Sequence, residues 1–222
     1  MFLIKILMKN PNEESSVRLR MRNMTHHHHV SLNQHPLLHD LIKPHSSLAN
    51  YHKVLCAYFH IYQLLENRIN LFLKATTCTF DYAERVKLPW LVQDLEFFQL
   101  YPETQRNLTN KVATVPEITS IGHLLGVLYV LEGATLGGQF ISNSLLKNHG
   151  RHNTQGARFF FGYGERSSLM WQAFVDFSQT INNNEAQCEA ACKAASQTFQ
   201  LFIQTLDDYM HLELQYSHQH TS

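Results

Sequence analysis

Four consecutive imidazoles stand in Met24-Thr25-His26-His27-His28-His29-Val30. Such a run fits an affinity-tag remnant, a loose metal-binding tract, or one working histidine with three bystanders, since a neutral imidazole nitrogen is a good metal ligand. A second stretch with chemical promise is Gly126 to Ile141, GVLYVLEGATLGGQFI, where Gly133, Gly137 and Gly138 interrupt an otherwise strong helical pattern. Each glycine costs about 0.5–1 kcal/mol relative to alanine, so something must offset them. Close packing is one account, because small residues at 133 and 137 let two backbones touch. The other is a flat ligand lying against the helix, in the room that the missing side chains leave and against backbone groups that a kink exposes. Glu132, just before the first glycine, suits either a cap on freed amides or a partner for a cation. Cys188 and Cys192 lie one helical turn apart and supply two ligands at most; with no CxxC pair in the chain, they read as core or surface thiols.

These residues need elements to hold them. Residues 9–20, KNPNEESSVRLR, are polar and carry a proline, so residues 1–20 read as a flexible leader, with Met21 or Met24 as alternative starts. From Ser47 to about Leu73, the residues Leu48, Tyr51, Leu55, Tyr58, Phe59, Tyr62, Leu65 and Ile69 recur at three- and four-residue intervals, which predicts a long amphipathic helix with Ser47 as its N-cap. Residues 80–100 repeat the pattern weakly. Pro116 and Ser120 open a further helix, apolar on nearly every face and therefore buried, which Gly150 stops. A glycine- and aromatic-rich connection, RHNTQGARFFFGYGERSS, follows. Helical spacing resumes at Met170 to Ile181 and from Glu185 to about Leu214. Period-two alternation persists nowhere, so the chain reads as all-α, with roughly seven or eight helices in one domain over residues 21–215 and a polar tail at 216–222.

Composition narrows the function classes. Lys plus Arg and Asp plus Glu are 18 each, so no net field draws nucleic acid or an anionic membrane. The opening MFLIKILM is apolar but only about half as long as a spanning helix. The expected setting is cytoplasmic, with no membrane and no nucleic acid as partner.

The segment LYVLEGATLGG resembles the distal helix of the bacterial biliverdin-producing heme oxygenases of the type associated with bacteriophytochromes, which read LYVLEG[ST]xLGG there. In that family's proximal element a threonine precedes the ligand histidine by four residues, a leucine follows it by three, and Pro-Leu-Leu begins seven after it. Thr25, His29, Leu32 and Pro36-Leu37-Leu38 fit that frame, and within the histidine run only His29 does. Four further segments, LANYHKVLCAYFHIYQLLE, LPWLVQDLEFF, RFFFGYGERSSLMWQAF and AACKAASQTFQLF, are similar to family segments in order and spacing. The resemblance covers roughly residues 20–210.

The resemblance implies a single-domain heme oxygenase-like bundle that sandwiches one heme between a proximal helix and a kinked glycine-rich distal helix. His29 is then the iron ligand. Gly133, Gly137 and Gly138 bring the distal backbone close to the oxygen side, and Thr135 or backbone carbonyls order water there. Arg22, two helical turns before His29, is the implied propionate partner, with Tyr129, Tyr163 and Arg166 as further candidates at the heme edge. Heme is substrate and cofactor together, and its cleavage with O2 yields biliverdin, carbon monoxide and ferrous iron. Electrons come from outside, from a ferredoxin or a flavin reductase, because no GxGxxG fingerprint is present. A phytochrome that receives biliverdin is a further implied partner.

One departure stands out. Mammalian-type relatives carry aspartate after the first distal glycine and the nearer bacterial ones often serine; this sequence has Ala134, which puts full turnover in doubt. The rivals are a noncatalytic heme-binding or heme-sensing protein and a helical bundle without heme. Asp94 reads as a structural helix contact. A di-iron bundle is disfavoured, because ExxH pairs do not recur on two helices.

Overall fold

The structure, a computed structural model, describes residues 16–102 and 115–214. These form eight α-helices and no β-strand: α1 (Val17–Asn33), α2 (Pro36–Leu41), α3 (Leu48–Ala75), α4 (Leu88–Phe97), α5 (Ile121–His149), α6 (Arg158–Phe161), α7 (Ser167–Ser178) and α8 (Glu185–Met210). Short 3-10 turns lie at Ala83–Arg85, Gly164–Arg166 and Gln179–Ile181.

Local chemistry sets the helix ends. Ser16, Ser47, Ser120 and Asn184 each accept a backbone N–H three residues ahead, satisfying a donor that the first turn leaves without a partner. Gly150 ends α5 in the left-handed region at φ 63°, and the Arg151 N–H reaches back to the Leu145 carbonyl. The expected starts at Ser47 and Ser120 and the expected stop at Gly150 therefore coincide with the observed ones. The leader does not extend to residue 20: α1 begins at Val17, and Val17 and Met21 are fully buried. The weak pattern at 80–100 contracts to the ten residues of α4, and the glycine-rich connection holds the four-residue α6. Residues 1–15 and 216–222 of the expected leader and tail lie outside the described residues.

The core is built on α3, α5 and α8. The face of α3 predicted from spacing is buried from Tyr51 to Ile69, and the rings of Tyr58 and Tyr62 meet Phe202 of α8 edge-on. The pairing of α5 with α8 is the most extensive in the molecule, and it is a contact of backbones. A β-carbon at Gly122 would collide with the Gln187 carbonyl, and one at Gly126 with that of Ala191. Gln187 also accepts the Gly122 N–H at 2.6 Å. Of the described helices, α5 alone is long and apolar enough to cross a membrane, but its burial under α6, α7 and α8 identifies it as the core helix.

α1 lies across α8. Arg20 pairs with Glu185, and the Val17 N–H donates to Asn182 at 2.9 Å. At the far end His35 caps α2. Its Nδ1 accepts the Leu37 N–H, so its Nε2 carries the proton and faces Asp207 of α8 at 3.2 Å.

His52 is the buried base most exposed to acid stress. Burial, with the nearby Arg151 adding, pushes its imidazole from 6.5 down to about 4, and its ring packs on Phe98 at 4.4 Å. The folded state therefore refuses a proton that the unfolded chain accepts below pH 6.5, so this stabilisation is full above pH 6.5 and is lost as pH falls toward 4. Asp94, pushed up to about 6 mainly by burial, acts with the opposite sign in part of that window. A comparison of wild type with His52→Phe isolates the histidine. Denaturant titrations between pH 4 and 6.5 should show a shallower acid loss in the variant, by up to about one proton's worth, or about 1.4 kcal/mol per pH unit. Parallel curves would show that His52 titrates normally.

Candidate functional site

Arg18, Arg22, Thr25 and His29 recur at intervals of four, three and four residues, and so share one stripe of α1. That stripe faces α5 at Tyr129, whose phenol lies close to Thr25 and in the field of Arg18 and Arg22. Thr25 is itself buried, and its hydroxyl donates to the Met21 carbonyl at 2.7 Å. Four residues on from this contact in each helix stand His29 on α1 and Gly133 on α5.

The histidine run divides by face. His26 and His27 are exposed, while His28 is half-buried and near Gln200, 3.5 Å away. His29 is half-buried, with its ring edge-on to Phe199 of α8 at 6.0 Å. Burial pushes its imidazole below the usual range, and His26 and Arg22 add to the effect. The neutral form that results is the one that binds iron. Asn33, one turn further along α1, places its Nδ2 amine 3.3 Å from both ring nitrogens. Among the described residues, no three His, Cys, Asp or Glu side chains converge on a metal-sized site. The thiol of Cys188 points instead to the Ile181 carbonyl.

α5 runs unbroken from Ile121 to His149 through all five of its glycines. They serve different ends. Gly138 is a packing glycine, since a β-carbon there would press on the backbone and ring of Phe160 at 3.2–3.3 Å. Gly133 is not: the nearest atom to its missing β-carbon is the Trp171 ring edge, 4.0 Å away. Gly137, one turn on, is also half-exposed and shares a stripe with Tyr129, Gly133 and Phe140, the last 45% exposed. The backbone contact expected of the 133/137 pair occurs instead at Gly122 and Gly126.

Not every expected residue joins this stripe. Thr135 lies about 200° around the helix from Gly133. It is buried beneath Gly162, and its hydroxyl donates to the Leu131 carbonyl at 2.9 Å. Tyr163 donates to both oxygens of Glu132, at 3.0 and 3.1 Å. Arg166 is held at the surface by Glu84. Arg22 and Tyr129 are therefore brought together, with His29 one turn beyond Thr25 on the α1 stripe and Gly133 and Gly137 on the Tyr129 stripe of α5, whereas Gly138, Thr135, Tyr163 and Arg166 are engaged elsewhere.

Spacing did not reveal the network on the flank of α5. Glu132 is ion-paired with Arg85 at 2.7 Å and Lys87 at 2.8 Å, and all three are buried. Of the alternatives for Glu132, it is the cation partner. The available signal was one acid in an apolar helix with Arg85 and Lys87 close together elsewhere. Asp94 accepts the Arg158 and Phe159 N–H groups at 2.7 and 2.8 Å, and so caps α6.

The stripes have the chemistry of a site for a flat, largely apolar, anionic-edged ligand: a neutral imidazole, an arginine beside it, and a helix face bare of side chains. Comparison with known proteins agrees. The family model described as Heme oxygenase matches residues 15–208. A search of curated proteins returned no match. Among solved structures, the NO- and CO-bound heme oxygenase from Neisseria meningitidis superimposes with a TM-score of 0.71 at 18% identity, over 93% of this chain and 98% of that one. The heme oxygenase from Leptospira interrogans gives 0.67 at 20% identity, over 86% of this chain and 98% of that one. At such identities the superpositions establish the fold, and with the family match over most of its length the chain belongs to the heme oxygenase family.

Proposed function

We propose that the protein binds one heme between the Arg22–His29 stripe of α1 and the Tyr129–Gly137 stripe of α5, and cleaves it oxidatively to biliverdin, carbon monoxide and ferrous iron. The observation that carries this reading is Gly133. It sits mid-helix with room for a β-carbon, whose nearest neighbour would be the Trp171 ring edge at 4.0 Å, so no close packing explains the missing side chain.

Heme as substrate supplies the iron at which O2 is reduced, so the chain's own contribution is placement and charge. His29, held neutral by burial, would offer a ring nitrogen to the iron, with Asn33 beside the ring. Arg22 supplies a cation for the propionate edge, and Tyr129 borders it. Gly133 and Gly137 leave room for the macrocycle against α5. Electrons come from an external donor, a ferredoxin or a flavin reductase, and a phytochrome that takes up biliverdin is the downstream partner that the resemblance implies.

A second reading, a noncatalytic heme binder, is favoured by one specific feature. Ala134 carries no polar group, and the Thr135 hydroxyl is buried on the other face of α5. Water on the distal side must then rest on backbone carbonyls. Slower turnover than in relatives with a polar residue at this place follows from that arrangement.

Hemin titration of wild type and His29→Ala, followed by reductant under air, separates these readings. The enzyme reading expects a sharp Soret band in wild type that gives way to the red absorption of biliverdin, and neither in His29→Ala. A wild-type Soret band that persists under reductant would establish the binder, and no band in either protein would sink both. Stability supplies an independent check. Gly133→Ala should raise unfolding stability by about 0.5–1 kcal/mol while weakening hemin binding about tenfold or more. Gly126→Ala, whose β-carbon meets the backbone of α8, should lose on the order of 1–3 kcal/mol. Loss of stability in Gly133→Ala would return that glycine to a packing role.

A further inference from the structure

On the flank of α5, about 100° around the helix from Gly133, lies a polar joint between α3, the 83–87 turn and α5. Glu66, Arg85, Lys87 and Glu132 are all buried there, at 1–4% exposure. The two cations balance the two carboxylates, so the joint carries no net charge.

A count of donors and acceptors shows where it is incomplete. Both oxygens of Glu132 are engaged by side chains: Lys87 on Oε1, Arg85 on Oε2, and the single Tyr163 O–H shared between the two. Glu66 is served less evenly. Its Oε1 accepts from the Lys87 N–H at 2.6 Å and the Tyr82 hydroxyl at 3.2 Å, but its Oε2 accepts only the Leu88 N–H at 3.2 Å. A carboxylate oxygen has two lone-pair positions, so one on Oε2 is open. Lys87 Nζ donates to the Arg85 carbonyl at 3.0 Å and to Glu132, and its third N–H has only the Tyr163 ring to face. Tyr62 completes the set. It is fully buried, one turn from Glu66 on α3, and lies in the field of Glu66, Glu132 and Tyr163, yet its hydroxyl has no hydrogen-bond partner among the described residues.

A buried hydroxyl without a partner is among the costlier defects that a fold can carry. Glu66, one turn along α3, keeps an open acceptor, and Lys87, whose backbone N–H that carboxylate accepts, keeps a spare donor. We propose that this joint binds one internal water molecule, which accepts from Tyr62 and Lys87 and donates to Glu66. Three polar partners is the usual complement of such a water. The charge balance selects a neutral ligand, because a bound ion would leave the buried joint with an uncompensated charge. The water ties Tyr62 of α3 to the ion cluster that holds Glu132, and so helps fix the roll of α5 at the residue before Gly133. The site does not depend on heme being the ligand of the Gly133 face.

Magnetic relaxation dispersion of water 17O counts long-lived internal waters, and the full chain without hemin serves as the sample. Wild type is compared with Tyr62→Phe, a conservative change that removes only the hydroxyl. Tyr82→Phe is the control, since it deletes a bond to Glu66 but none of the proposed water partners. The expected result is a dispersion amplitude lower by one water in Tyr62→Phe and unchanged in Tyr82→Phe, with Tyr62→Phe melting no higher than wild type. Equal amplitudes in wild type and Tyr62→Phe would overturn the proposal, whatever the melting temperatures. A rise in melting temperature on top of equal amplitudes would identify the Tyr62 hydroxyl as buried dry.

Discussion

The contact on which the rest depends is the meeting of α5 and α8 at Gly122 and Gly126. Two helices can approach until backbone touches backbone only where side chains are missing, and both partners comply: α5 offers the glycines, and α8 offers Ala190, Ala191, Ala194 and Ala195. A contact this close fixes the register of α5 as well as its position, since a shift of one residue would put a leucine where a glycine must be. α1 lies on the same α8, so both stripes of the candidate site are referred to one helix.

Two further pins settle the roll of α5. Glu132 is drawn toward Arg85 and Lys87, and Gly138 is packed against Phe160. With these faces committed inward, the stripe through Tyr129, Gly133 and Gly137 is left half-exposed by arithmetic, as a helix cannot bury all its faces unless it is surrounded. The ion cluster is an unusual pin. Buried pairs give little net stability once desolvation is counted, but breaking one is expensive, so they discriminate between arrangements more than they deepen any one of them. A misrolled α5 would bury Glu132 without Arg85 and Lys87, an error of several kcal/mol by the same principle.

The parts of this structure that were legible in the sequence are those that local chemistry decides. The buried face of α3, the caps at Ser47 and Ser120 and the stop at Gly150 each depend on residues within a turn or two. The start of α1 was hidden, because Val17 and Met21 sit in an otherwise polar segment and are buried only by their contact with distant elements. The Glu132 cluster was hidden for the same reason, its partners being 45 and 47 residues away. Thr135 was a different kind of miss. Counting residues around the helix from Gly133 already places it on the far side, so its part on the distal face could have been rejected from spacing alone. His29 could be singled out from its neighbours only by a family frame, for the property that separates it from His26 and His27 is burial, which four identical residues do not display.

On the reading proposed above, the demanding part of the chemistry is the delivery of protons. From 133 to 138 the half-exposed face of α5 offers no hydroxyl and no carboxylate, since Ala134 has neither and Thr135 is turned inward. What a bare helix face does offer is its carbonyls. Each keeps a second lone pair beyond the one used in the helix, and glycine leaves that lone pair uncovered. Gly133 and Gly137 thus act twice, making room for a flat ligand and uncovering acceptors on which water can rest. Carbonyls accept but do not donate, so they can order water without supplying an acid. On the proposed reading, water ordered by backbone alone must deliver the protons, so this face limits the rate of turnover and leaves the binding of heme unchanged.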